Sequence, residues 1–207
     1  MTRDQLAQRM LSSEAGIKSE KLRTGDLDAD EWTRLTQAGE NLSKAEIYFD
    51  ETSSITVQQM KAKLLRMKKV DLVVIDYLGL MHSAKHTDNR VQEISEITRN
   101  LKVMAKDLKV PVIACAQLSR GTEVKGKSHR PALSDLRDSG SIEQDADIVL
   151  FLYREAYYDG EKDASEDMSD KTKCECIVAK NRHGEVGTVQ LHWDGQFTRF
   201  TSVDVFR

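Results

Sequence analysis

Cysteine is scarce in this chain, and its placement excludes a disulfide framework. Cys115 stands alone, and Cys174 and Cys176 lie two residues apart, which is not the paired spacing of a stapled domain. Proline is scarcer still, with two in 207 residues, and that suits a helix-containing fold. A basic excess is also absent: 31 Lys and Arg face 34 Asp and Glu, for a formal charge of -3. The balance excludes a generally basic nucleic-acid coat, but not a small local patch. The amino terminus, Met-Thr-Arg-Asp-Gln, carries no apolar segment of the signal-peptide kind. The longest apolar stretch, Leu72 to Met81, is broken by Asp76 and is far too short to span a bilayer. The expectation is a cytoplasmic protein without a membrane partner.

What is present suffices for one domain. Hydrophobic residues make up 39% and charged residues 31%, which supports a core and excludes global disorder. No linker and no internal repeat divides residues 1–207. Leu6, Met10 and Leu11 share one face of a helix over Arg3 to Glu14. Asp28 to Glu31 reads as a capping box for a helix through Trp32, Leu35 and Leu42. Ile47 to Phe49 reads as a short strand. Thr56 with Gln59 caps a helix running to about Lys69. A long helical pattern, Asn89 to Leu108, separates two apolar strands, Leu72 to Ile75 and Val110 to Ala116. Such alternation points to a parallel sheet covered on both faces. Asp147 to Leu152, Cys174 to Lys180, Val186 to His192 and Phe197 to Thr201 read as later strands, with turns at Arg182-His183-Gly184 and Trp193-Asp194-Gly195. The stretch between Tyr157 and Lys171, rich in Asp, Glu, Lys and Ser, reads as a mobile surface loop.

Leu72-Val-Val-Ile75-Asp76-Tyr77 carries the sharpest local signal. A carboxylate at the carboxyl end of a buried strand stands where open α/β sheets bind ligands, and it can hold magnesium beside nucleotide phosphates. The next strand also ends in polar residues, Gln117, Ser119 and Arg120. Gly121-Thr-Glu-Val-Lys-Gly126-Lys127-Ser128 fits the phosphate-loop pattern letter for letter. Its context is wrong, because Pro131 interrupts the helix that must follow and the match comes after the Asp-tipped strand. It reads as a flexible basic loop. Cys174 and Cys176, with His183 and His192 as the nearest candidates, lack the spacing of a zinc site and read as strand packing.

Several blocks together resemble the bacterial replicative DNA helicases of the DnaB type. These are Leu72 to Met81, Ala116-Gln-Leu-Ser-Arg120, Arg130-Pro-Ala-Leu-Ser-Asp-Leu-Arg137-Asp-Ser-Gly140 through Asp147, and Ala179-Lys180-Asn-Arg182-His-Gly184 with Gly187. Upstream, Arg9-Met-Leu-Ser-Ser-Glu-Ala and Leu22-Arg-Thr-Gly also fit, so the resemblance covers essentially the whole chain. It implies an α/β fold with a RecA-like P-loop NTPase core: a mostly parallel sheet flanked by helices, with C-terminal antiparallel strands. It also implies the roles. Asp76 would coordinate Mg2+ and its water beside ATP, and Gln117 would couple the nucleotide state to the DNA side. Lys180 and Arg182 would reach the γ-phosphate bound by a neighbouring subunit. Arg137, Asp138 and Gly140 would belong to the loop touching single-stranded DNA. The implied partners are single-stranded DNA, five further copies in a homo-hexamer, primase and a helicase loader.

By the same resemblance, the family's phosphate loop and catalytic glutamate lie upstream of the position matching Met1. The expectation is an N-terminally truncated motor domain, with the phosphate-loop strand missing and little ATPase of its own. The competing reading is a catalytically dead RecA-like module that binds DNA or assembles with helicase subunits. Another RecA-like ring ATPase is disfavoured by the Arg137 to Asp147 block, and a truncated gene product is a further reading.

Overall fold

Capping residues place the first helices. The Thr2 hydroxyl accepts the Gln5 backbone N–H, and the Gln5 side chain accepts the Thr2 N–H, which opens α1 (Arg3–Ala15). Gly16 closes it with φ +61, a conformation that strains any side chain. After α2 (Ser19–Thr24), Asp28 and Glu31 form the expected box and start α3 (Ala29–Ser43). The computed structural model describes residues 2–84, 87, 89–118, 130–157 and 172–203, the side chains of 137–139 and 157 excepted.

The remaining elements are α4 (Val57–Leu64), β1 (Val73–Ile75), α5 (Arg90–Leu108), β2 (Val112–Ala114), α6 (Gly140–Asp145), β3 (Ile148–Tyr153), β4 (Lys173–Asn181), β5 (Gly187–Asp194) and β6 (Arg199–Ser202). Short 3-10 turns span Leu78–Leu80 and Leu133–Ser139. β1 and β2 pair in parallel, with Val73 opposite Val112 and Ile75 opposite Ala114. A second sheet has the order β3-β4-β5-β6, and its last two strands are antiparallel. The fold is therefore α/β with mixed sheets and helices.

The chain forms two compact units that interleave along the sequence rather than joining through one linker. One comprises Met1–Glu51, Arg154–Cys176 and Val189–Arg207. Its helical core is Ala15, Ile17 and Ala38 under Leu11, Leu22, Leu27 and Leu35. Arg34 donates to the carbonyls of Ala15 and Gly16 at 2.9 and 3.0 Å, closing the end of α1. In the same unit Trp193 and Phe200 face each other across β5 and β6, with ring centroids 4.5 Å apart.

The other unit, Thr52–Tyr153 and Ile177–Thr188, carries the residues singled out above. Val57, Ile75, Leu78, Met81, Ile94, Ile97, Leu101 and Met104 make its main core, with α4 and α5 contributing their apolar stripes. A second cluster, Leu136, Val149 and Phe151, packs with Ile142, Ile177 and Ala179.

Four expectations are corrected. Residues 47–49 form no strand; no ladder pairs them, and Ile47 and Tyr48 are exposed. α4 stops at Leu64, where Arg66 N–H bonds back to Lys63 and Met67 N–H to Leu64, tightening the chain into three-residue turns. The turn expected at 193–195 lies at 195–198, because Trp193 and Asp194 stay in the ladder with Phe200 and Arg199. Among the described residues the apolar strands are not covered on both faces: Val74 and Ile113 are exposed, and on β3 Ile148, Leu150 and Leu152 are exposed while Val149 and Phe151 are buried. The phosphate-loop match at 121–128, Ser119 and Arg120, and most of the stretch from 157 to 171 lie outside the described residues.

Candidate functional site

Parallel pairing brings two of the singled-out positions to one edge. The Ile75–Ala114 register carries Asp76 and Gln117 past the carboxyl ends of β1 and β2. Cys115 N–H bonds to the Ile75 carbonyl, and Leu78 N–H to the Cys115 carbonyl, both at 2.9 Å, so the two strand exits are stitched together. Partial desolvation at the strand exit pushes the thiol of the otherwise exposed Cys115 up, and the nearby Asp76 carboxylate adds in the same direction. Asp76 and Gln117 are both exposed. Gly79 is required just beyond, because a Cβ there would overlap the Tyr77 ring.

A clasp holds this exit loop to the start of α5. Arg90 donates to the Gly79 carbonyl at 2.8 Å and pairs with Glu93 at 2.5 Å. Glu93 also accepts the Ser83 backbone N–H at 3.1 Å and lies 3.3 Å from His82 Nδ1. Sequence patterning alone did not reveal this set, because its members are ordinary charged residues until the loop folds back. Burial of Glu93 raises its pKa, but the bonds from Arg90, Ser83 and His82 outweigh that and leave it lowered. A lowered carboxylate contributes stability that is complete above its unfolded value, about 4.3, and is lost as pH falls through the folded value. Glu93→Gln is expected to cost about 1 kcal/mol at pH 7 and to flatten the acid limb of stability below about pH 4.3. Denaturant unfolding at pH 7 and pH 4 checks both; an equal loss at the two pH values contradicts it.

The second pair of candidates gathers elsewhere in the same unit. Lys180, near the end of β4, donates its ammonium to the carbonyls of Glu143 and Ala146 at 2.5 and 2.8 Å. Arg182 donates to the Gln144 carbonyl at 3.1 Å and lies 3.5 Å from the Asp147 carboxylate. Its backbone N–H bonds to the Asp147 carbonyl at 2.9 Å. Two cations thus hold the carbonyls at the carboxyl end of α6, where the helix dipole favours positive charge. Gly140 opens that helix, and Arg137 and Asp138 lie in the 3-10 turn leading into it. The side chains of Arg137 and Asp138 are outside the described set.

Asp147 lies just past α6 and faces two cations. Lys102 of α5 forms a short ion pair with it, and Thr98, one turn earlier, donates to Asp145 at 2.6 Å. Lys102, and after it Arg182, hold the Asp147 carboxyl below the usual range. Cys174 is buried, with its thiol pushed up by burial, while Cys115 is exposed. Among the described residues no group of three or more His, Cys, Asp or Glu side chains is arranged to hold a metal ion. No helix among them is long and apolar enough to cross a membrane.

Residues 1–202 match the DnaB-like helicase C terminal domain. The chain belongs to this family. It is 47% identical to the replicative DNA helicase DnaB of Geobacillus stearothermophilus over 99% of this chain and 44% of that protein. It is 46% identical to the replicative DNA helicase DnaC of Bacillus subtilis over the same shares. The chain therefore spans less than half the length of these curated relatives. Among solved structures, an ATPase domain superposes with a TM-score of 0.87 at 36% identity, over 99% of this chain and 72% of that one. A DnaB-like replicative helicase, solved in a study of its interactions with primase, gives 0.88 at 36% identity over 99% and 49%. The DnaB-like fold expected from the sequence blocks is thereby shown, with its RecA-like α/β architecture.

Proposed function

We propose that these residues serve as motor-domain structure in a hexameric replicative helicase. Such a ring couples ATP hydrolysis to movement along single-stranded DNA and so separates the duplex in the cytoplasm. The observation that carries this reading is the convergence of Asp76 and Gln117 at one sheet edge, within a chain that matches the DnaB-like domain almost end to end. Asp76 fits a magnesium site of the kind that uses one carboxylate together with substrate phosphates, since it is exposed at a strand exit. Mg2+, when bound, supplies charge neutralisation at the phosphate oxygens. Gln117 stands beyond the carboxyl end of the adjoining strand to sense the phosphate, and Lys180 with Arg182 serves the nucleotide of a neighbouring subunit. Arg137, Asp138 and Gly140 contact DNA phosphates, which hold the strand without reading its bases. Primase and a loader are further partners of the assembled ring.

The test is a chimaera in which this chain replaces the matching 44% of the Geobacillus stearothermophilus relative. The chimaera is expected to form hexamers, hydrolyse ATP and unwind a forked duplex. Asp76→Ala is expected to lower kcat at least about 100-fold by loss of the metal-positioning carboxylate. Hexamers that bind ATP yet hydrolyse it equally well with and without Asp76 overturn the assignment of that residue.

A further inference from the structure

Asp147 stands at a junction that neither the fold nor the family match explains. Its carboxylate faces two cations from two different elements, Lys102 on α5 and Arg182 beyond β4. Its carbonyl accepts the Arg182 backbone N–H. The carbonyl of its neighbour Ala146 accepts Lys180. One short segment, 145–147, therefore fixes both members of the cationic pair and ties them to α5 through Lys102 and Thr98. The same helix α5 ends at the connection into β2, the strand that leads to Gln117. At its other end it is clasped to the loop that follows Asp76.

We infer that Asp147 is a positioning residue for Arg182, and that Lys102 shares this work by neutralising and aiming the Asp147 carboxylate. An arginine held only by helix carbonyls is free to swing between neighbouring oxygens. A carboxylate 3.5 Å from Nη1 defines one side of the guanidinium while Nη2 donates to the Gln144 carbonyl at 3.1 Å, so the planar fork is fixed at two of its nitrogens. Lys102 occupies the second carboxylate oxygen, Oδ2, while Arg182 addresses Oδ1. Without Lys102, Asp147 would take Arg182 in a two-oxygen grip and hold it back. The pairing sets how readily Arg182 is delivered. The pairing also ties Arg182 to α5 through Lys102. This assignment rests on the helicase reading only for its catalytic consequence; the positioning itself belongs to the chain alone.

Two measurements test it separately. In the 207-residue chain, Asp147→Asn is expected to speed hydrogen exchange of the Arg182 guanidinium protons, followed by NMR, at least tenfold, while the backbone amides of 181–184, α5 and β3 keep their protection. Unchanged guanidinium exchange overturns the positioning role, and so does general loss of backbone protection, which marks a merely structural residue. In the chimaera, Asp147→Asn is expected to lower kcat about tenfold or more, with KM for ATP within twofold. Lys102→Arg is expected to stay near wild type, and Lys102→Met to fall with Asp147→Asn. The double variant Asp147→Asn with Arg182→Ala is expected to be no slower than Arg182→Ala alone, because Asp147 acts through Arg182. An additive further loss overturns the inference. A chimaera without ATPase counts against the helicase reading and leaves the exchange measurement to decide the positioning.

Discussion

Arg182→Ala is expected to lower the ATPase kcat of the chimaeric ring by about 1,000-fold while leaving the fold intact. The size follows from the chemistry: charge develops on the transferring phosphoryl oxygens, and an arginine delivered from another subunit is worth about 10^3 to 10^5 in rate. The selectivity follows from the geometry. The backbone N–H of Arg182 is held by the Asp147 carbonyl whatever the side chain, so the turn survives truncation. The guanidinium itself is about half exposed, and its loss should cost no more than about 0.5 kcal/mol of stability. Lys180→Ala differs, because the Glu143 and Ala146 carbonyls at the end of α6 lose this donor, while Gln144 keeps Arg182; it should destabilise the unit by about 1–3 kcal/mol as well as slow turnover. Arg182→Lys should recover little, since an ammonium cannot reproduce a planar fork. Steady-state ATPase with single-stranded DNA, beside a thermal melt of each variant, reads both effects. An Arg182→Ala ring within tenfold of the wild type sinks the arginine's assigned role.

Much of the fold was legible because its signals are local. The Thr2–Gln5, Asp28–Glu31 and Thr56–Gln59 boxes each use a side chain and a backbone donor three residues apart, so sequence spacing contains the whole interaction. The α5 stripe is legible for the same reason: Ile94, Ile97, Leu101 and Met104 repeat with the helical period and are all buried. Strands are harder. Residues 47–49 have strand composition, yet a strand exists only when a neighbouring ladder accepts it. The site divides along similar lines. Asp76 and Gln117 were readable as strand-tip residues, since parallel pairing delivers such tips to one edge. Asp147, Lys102 and the Arg90–Glu93 clasp were not, because their partners lie far apart in sequence or on a loop whose return path no local pattern records.

Ile97→Ala is expected to cost about 2–5 kcal/mol, whereas Leu150→Ala should change stability by less than about 0.5 kcal/mol. Ile97 belongs to the apolar stripe of an amphipathic helix and Leu150 to an all-apolar strand, and sequence pattern marks both as core. The structure separates them. Ile97 is 1% exposed at the centre of the main core, among residues drawn from α4, β1 and α5; truncation leaves a void its packed neighbours cannot close. Leu150 is 55% exposed on the uncovered face of β3, between Val149 and Phe151, which point into the core. All-apolar strands encode two covered faces, and no described residue of this chain covers the second. Solvent-exposed leucine has little to lose on truncation. It does favour association, because Ile148, Leu150 and Leu152 line one contiguous strand face. Leu150→Ala should therefore raise solubility and reduce binding of an apolar dye, while Ile97→Ala should lower the denaturation midpoint and leave the slope unchanged. For a domain whose total stability is about 5–15 kcal/mol, the first change is tolerated and the second removes a large fraction of it. Equal midpoint shifts for the two variants would show that β3 buries its outer face in solution, by self-association or by rearrangement, and sedimentation velocity distinguishes those cases.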